Sequence, residues 1–252
     1  MVKARGTQIL GPQGLGHAVA LRFAARLPGK GRCCVCFGVL RPLLVLVSGL
    51  IPALSAPVAQ AQSPDSLSGR AIIAEINRVR TDPAGYAAFL ERQLAFYEGN
   101  EIRRPGQVRI VTHEGAAAVR EAIQVLRQQA SRPPLGFSEA LSRAAADHVD
   151  DQGPNGSIGH EGSDGSTMQS RIERYGTWSI TISENIDYGS ATARDVVMAL
   201  VIDDGVAGRG HRRNILDPQI RVAGAACGPH QQYRVMCVIN HAGGFAPSAP
   251  GR

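Results

Sequence analysis

Apolar residues recur at helical spacing from Gly69 onward. Ile72, Ile73, Ile76 and Val79 fall on one face, with Arg70, Glu75, Arg78 and Arg80 elsewhere, which predicts an amphipathic helix. Thr81-Asp82-Pro83 stops it and starts another, with Asp82 as N-cap and Pro83 at the first helical position. Tyr86, Phe89, Leu90 and Leu94 carry the second stripe. Gly99 to Val108 reads as a polar loop. Thr112 is then the expected cap of a helix over 114–129, with Ala118, Val119, Ala122, Ile123 and Leu126 inward. After the extended break at Arg132-Pro133-Pro134, Ser138 caps a further helix through Leu141, Ala144, Ala145 and His148.

The pattern then changes. Gly153 to Ser166 is rich in Gly, Ser, Asn and Asp and reads as loop. Met168, Arg171, Ile172 and Tyr175 make a short helix, and Trp178 to Ile186 an extended segment. Thr192 caps a helix carrying Val196, Val197, Leu200 and Val201, which Asp203-Asp204-Gly205 ends. Arg221 to Cys227 and Tyr233 to His241 read as two strands joined by a short connection. Helices around a small antiparallel sheet argue for an α+β chain or an α-β-α sandwich.

Residues 1–61 stand apart. They hold seven Lys or Arg and no acid, a short apolar run from Leu43 to Leu54, and Ala59-Gln60-Ala61. This is the layout of an export signal cut after Ala61. The run is too short to span a bilayer, which takes ~20 apolar residues, so no membrane span is expected after cleavage. Val39-Leu40-Arg41-Pro42 would open a compact signal by itself, so we expect translation to start at Val39 and 1–38 to be an artefact of the assigned start. Residues 62–68 read as a disordered linker, 69–244 as the domain and 245–252 as a tail.

Removing the leader changes the charge argument. The remaining chain holds 20 basic and 21 acidic residues, a net charge of −1. The overall pI of 9.4 belongs to the leader and gives no reason to expect nucleic-acid binding. Two of the five cysteines follow Ala61, namely Cys227 and Cys237. An even pair in an exported protein reads as a disulfide, and a metal pair would want two further ligands nearby in sequence. The destination is secreted or periplasmic.

Four polar residues stand out between 159 and 216: His160, Glu184, Asp203 and His211. Two imidazoles with carboxylates suit zinc or another divalent cation, and a His–carboxylate pair suits general-base work. Each has a structural alternative. His160 can tie its loop to carbonyls, Glu184 can satisfy local amides, and His211 can simply follow a helix-starting glycine. Asp203 and Asp204 sit at a helix C-terminus, where negative charge costs ~0.3–1 kcal/mol, so a purpose is expected for one of them. His148 reads as a packed helix residue, and Arg212 and Arg213 as a surface pair near Asp217. The loop Gly162-Ser163-Asp164-Gly165-Ser166 follows no strand and is not a nucleophile elbow.

Taken together, LSRAAADHVDDQG at 141–153, GHEGSDGS at 159–166, SENIDYG at 183–189, GHRRNIL at 210–216 and the closing 223–245 stretch resemble the CAP family (cysteine-rich secretory proteins, antigen 5 and pathogenesis-related class 1 proteins), in its bacterial SCP-like branch. EINRVR at 75–80 is similar to the family's opening helix, and 91–133 reads as an insertion. The resemblance implies a three-layer α-β-α sandwich of the CAP type with a small antiparallel sheet. It implies a cleft with two histidines, on His160 and His211, and two acids, on Glu184 and Asp203. Asp203 stands where the family usually has Glu, so its reach is in question and Asp204 is the alternative. Ser183 stands where Gly usually precedes the Glu-Asn pair.

Three functions follow as expectations. The first is a secreted, non-catalytic module binding a divalent cation, Zn2+ before others, through His160 and His211, with a ligand or protein partner at the cleft. The second is a metal-assisted or His/Glu-dependent hydrolase of peptide or cell-envelope material, with Glu184, His160 and His211 as catalytic candidates and Ser163 or Ser166 as a poorer nucleophilic variant. The third is lipid or sterol binding between helices, with Ile72, Ile76, Leu90 and Leu94 as lining.

Overall fold

The computed structural model describes residues 67–249. The leader, the cleavage after Ala61, the start at Val39 and linker residues 62–66 lie outside the described residues. Leu67 packs on the core and the Ser68 hydroxyl accepts from Ala71 N, so these two belong to the domain.

Helix α1 (Gly69–Thr81) and helix α2 (Pro83–Gln93) follow the expected pattern, with Asp82 capping α2 through Gly85 N at 2.8 Å. Ile72, Ile76, Val79 and Leu90 are fully buried, a scale of burial that stabilises by roughly 1.5–3 kcal/mol per side chain. The expected polar loop is different. After a single turn at Leu94–Phe96, strands β1 (Tyr97–Glu98), β2 (Glu101–Ile102) and β3 (Ile110–Val111) form a small antiparallel sheet. Thr112 is not a helix cap, because its hydroxyl donates to Asn100 O within that sheet. Helix α3 (Ala116–Gln128) starts after Gly115 without a side-chain cap. Its apolar face joins the main core.

Strand β4 (Gly136–Phe137) leads into helix α4 (Glu139–Asn155), capped by Ser138 as expected. The helix runs past Gly153 and carries Pro154 in its last turn, so the loop begins later than the composition suggests. Helix α5 (Met168–Glu173), strand β5 (Gly176–Tyr188), helix α6 (Ala193–Ile202) and helix α7 (Gly210–Leu216) follow. Strands β6 (Val222–His230) and β7 (Arg234–Pro247) close the chain as a hairpin. Strand β7 takes in Phe245 to Pro247, and Ser248 N bonds to Tyr175 O at 2.9 Å, so part of the expected tail is built into the fold.

The main sheet has the order β4-β6-β7-β5, with β4 parallel to β6 and the other pairs antiparallel. Its two faces explain the three layers. Ala223, Ala225, Cys237 and Ile239 share a core with α1, α2, α3, α6 and α7. Met236, Val238, Ile186 and Ala242 point the other way, against Ala145 and Val149 of α4 and Ile172 of α5. Alternate residues of one strand therefore serve opposite cores. Helix α4 lies so close to β6 that a Cβ at Gly224 would stand 2.3 Å from Ser142 N. Cys227 and Cys237 are register partners with Cα atoms 4.1 Å apart, and they form the expected disulfide.

Candidate functional site

Strand β5 is an edge of the main sheet, and the four singled-out residues gather around two consecutive residues on it. Glu184 faces the α4–α5 layer, and Asn185 faces the α6–α7 layer. The His160 Nδ1 and Glu184 Oε1 are 2.8 Å apart. On the other side, the His211 Nδ1 and Asp203 Oδ1 are 2.7 Å apart. Asn185 joins the halves: its amide donates to His211 O at 3.1 Å, and the Asn214 amide donates to Asn185 Oδ1 at 2.8 Å.

Each half is built by its neighbours. Glu184 is buried, with a side chain 2% exposed. Arg171, equally buried, donates Nη2 to both Glu184 oxygens at 3.2 and 3.0 Å and to His160 O at 3.0 Å. Asn240, with its amide turned to suit both neighbours, donates to Glu184 Oε2 at 3.2 Å and accepts from Ala145 N at 3.1 Å. Burial pushes the Glu184 carboxyl up, but the His160 hydrogen bond and the Arg171 charge outweigh it and hold the group below the usual carboxylate range. The His160 loop is pinned at its base. His148 Nε2 and Gln152 Nε2 both meet Gly159 O, and Gly159 N donates to Tyr188 Oη at 3.0 Å. His148 is thus a packed helix residue that also fixes the loop, and its burial holds its imidazole below the usual range.

Asp203 reaches its histidine despite being a methylene shorter than Glu. It ends α6 in the left-handed conformation, φ 58°, which turns its carboxylate toward the start of α7. There the residue preceding α7 offers no side-chain cap. Asp203 Oδ2 takes that place, accepting from His211 N at 2.9 Å. The unfavourable charge at the end of α6 is therefore a favourable one at the start of α7. Asp204 does not substitute for it. Its carboxylate accepts from His113 N at 2.6 Å and Glu114 N at 2.8 Å. The far end of α7 is held by buried Arg80, which donates to Ile215 O and Asp217 O.

Arg212 is buried, not a surface residue. It donates to Val201 O and Glu121 Oε1, while Asp217 accepts from Gln219 N. Ser163 gives its amide and hydroxyl to Asp151, and Ser166 Oγ sits 3.4 Å from Arg171 Nη1. Among the described residues neither serine is hydrogen-bonded to a histidine, which gives neither the setting of an activated nucleophile.

Sequence reasoning passed over Arg171, Asn240 and the Asn185–Asn214 pair. Arg171 left a trace: an arginine at the apolar spacing of a short helix. The asparagines left none, because their partners lie on other elements. Two further ionisable groups lie buried on the α6–α7 face of β5 and β7. Burial pushes the Asp187 carboxyl up to about 7, against donation from Ser190. Burial pushes the His241 imidazole down to about 4; its ring lies by the Ser183 backbone, but neither nitrogen makes a well-aligned hydrogen bond.

As a donor set, the two halves offer two imidazoles whose Nδ1 atoms are committed to carboxylates. Among the described residues no hydrogen bond engages either Nε2. Among the same residues no three His, Cys, Asp or Glu side chains converge as a ready cation cage. No described helix is long and apolar enough to cross a membrane.

The family model described as CAP, Cysteine-rich secretory protein family, matches residues 100–240. Among solved structures, the chain is similar to an extracellular protein containing an SCP domain from Bacillus anthracis str. Ames. The identity is 19%, the TM-score 0.38, and the match covers 48% of this chain and 37% of that one. It is also similar to an outer surface protein from Borrelia burgdorferi, at 18% identity and TM-score 0.37, over 44% of this chain and 78% of that one. The chain thus spans little more than a third of the Bacillus protein's length. No curated protein sequence matches it. With 141 of its 252 residues under the family model, the chain belongs to the CAP family of cysteine-rich secretory proteins.

Proposed function

We propose that this CAP-family chain is exported and works as a non-catalytic binding module. Its cleft takes a divalent cation, zinc before others, through Nε2 of His160 and His211. The observation that carries the reading is the pair of Nδ1–carboxylate bonds, at 2.8 and 2.7 Å. A carboxylate on one ring nitrogen fixes the tautomer and orients the other nitrogen as a ligand. Borderline-soft imidazole donors suit zinc, copper or nickel. Two protein ligands leave the remaining positions to water, a ligand or a partner, so affinity falls below that of a four-ligand structural site. The cation would supply a Lewis-acidic anchor for whatever binds at the rim.

The hydrolase reading has less support. A general base needs a free oxygen within reach of a proton. Glu184 gives both oxygens to Arg171, with His160 and Asn240 added, and its carboxyl is held low. The lipid reading loses its lining, because Ile72, Ile76 and Leu90 are fully buried in the core.

Zinc titration by calorimetry tests the proposal, with the wild type compared against His160→Ala and His211→Ala. Stoichiometric binding that falls in both variants, and weakens at pH 5.5 as protons compete for the ligands, supports it. Binding that survives both substitutions overturns it. Turnover on a panel of peptide and cell-wall substrates, abolished in a folded Glu184→Gln variant, would instead establish the hydrolase. For export, the N-terminus of the secreted protein is expected at Gln62.

A further inference from the structure

The turn between α6 and α7 is held from outside. It contains two non-glycine residues in the left-handed region, Asp203 at φ 58° and Arg209 at φ 52°. That conformation is unfavourable for an arginine and persists only where the surroundings impose it. Here they come from a segment about 90 residues earlier. Arg209 forms a two-pronged pair with Glu114, Nη1 to Oε1 at 2.6 Å and Nη2 to Oε2 at 2.7 Å. Its Nε donates to Glu121 Oε2 at 2.8 Å.

The grip is reciprocal. Glu114 Oε1 also accepts from Gly205 N at 2.7 Å, while Asp204 accepts from the amides of His113 and Glu114. Arg212 shares Glu121. The strength shows in Glu114, whose hydrogen bond from Arg209 outweighs burial and holds its carboxyl down to about 2. This is a connected network with fork-to-carboxylate geometry, unlike an isolated surface pair.

The network meets the cleft at Asp203, where the Arg212 amide stands 3.5 Å from Oδ2 and a shorter bond comes from Arg209. Arg209 Nη1 donates to Asp203 O at 2.7 Å. The same Asp203 holds His211 by its amide and its ring. A rotation of the turn would move both contacts together.

We infer that Arg209 is a positioning residue for His211, and that the 113–121 segment sets the geometry of the Asp203–His211 half of the cleft through it. The His160–Glu184 half has its own support in Arg171 and does not depend on this clasp. The consequence for cation binding rests on the proposed metal site. The positioning itself does not.

The first test needs no metal. In Arg209→Ala, protection of the His211 amide from hydrogen exchange is expected to fall at least about tenfold, as local opening becomes easier. Amides paired between β6 and β7 should keep their protection. Arg209→Lys keeps the charge but not the fork, and should fall in between. Glu114→Gln leaves the arginine in place and should shift His211 in the same direction by less. Unchanged His211 protection in Arg209→Ala and Glu114→Gln overturns the inference, and so does a loss shared equally by the β6–β7 amides.

The second test is a zinc double-mutant cycle. Arg209→Ala should weaken zinc binding in the wild type, yet change it by less than about twofold in a His211→Ala background. Equal losses in both backgrounds would show that Arg209 does not act through His211. A wild type that binds no zinc would refute the metal site alone, leaving the exchange result to decide the positioning.

Discussion

Asp187 gives the protein a pH dependence opposite to that of most acids. It is buried on β5, and burial raises its carboxyl from the ordinary 3.8 to about 7. The folded protein thus holds a proton there that the unfolded chain releases. Its contribution is fully present below pH 4 and is lost as the pH rises toward 7. At about 1.4 kcal/mol for each tenfold change in a proton equilibrium, the full loss is on the order of 4 kcal/mol. Asp187→Asn keeps the shape and the acceptor for Ser190 but carries no proton to lose. Urea unfolding of variant and wild type, with the disulfide intact, isolates the effect, since titrating groups that do not interact with Asp187 cancel in the difference. We expect the variant to gain on the wild type steadily between pH 4 and pH 8, by about 3–4 kcal/mol in total, and to be the more stable at pH 8. A difference that stays constant across that range would refute the reasoning.

Other outcomes follow from the same contacts. Arg171→Ala takes the guanidinium from buried Glu184 and leaves it only the His160 and Asn240 hydrogen bonds. It should cost about 3–5 kcal/mol in thermal or urea unfolding and also loosen the His160 end of its loop, whose carbonyl Arg171 holds. Removing the Cys227–Cys237 bridge by a double alanine substitution reopens a loop with sequence separation 10. That should cost about 2–3 kcal/mol, read by urea unfolding without reductant. An unchanged midpoint would mean the bridge constrains nothing that the hairpin register does not already fix.

What could be read in the chain follows the range of the interactions. Helices α1 and α2 were legible because their signals are local: a 3.6-residue apolar stripe, and Asp82 with Pro83 at the boundary. The β1–β3 sheet was not, because strands of two residues carry no periodicity, and Thr112 looked like a cap while serving Asn100. Helix α4 continued past Gly153 because that glycine lets the Pro229 carbonyl approach, where a Cβ would stand 2.4 Å away. That contact spans about 75 residues. The same holds at the site. His160, Glu184, Asp203 and His211 stood out through their motifs. Arg171, Asn240 and Arg209 gain their meaning only from partners brought by the fold. Arg212 looked exposed beside Arg213 until α3 supplied Glu121.

The central claim is that the two histidines present Nε2 outward while their carboxylates hold Nδ1. Long-range proton–nitrogen spectra of the histidine side chains, recorded with and without one equivalent of zinc, test it most directly. The account predicts that His160 and His211 are both protonated on Nδ1 in the free protein, and that zinc shifts Nε2 of these two while His148, His230 and His241 stay put. Zinc shifting other histidines, or either cleft histidine protonated on Nε2 in the free protein, would contradict it.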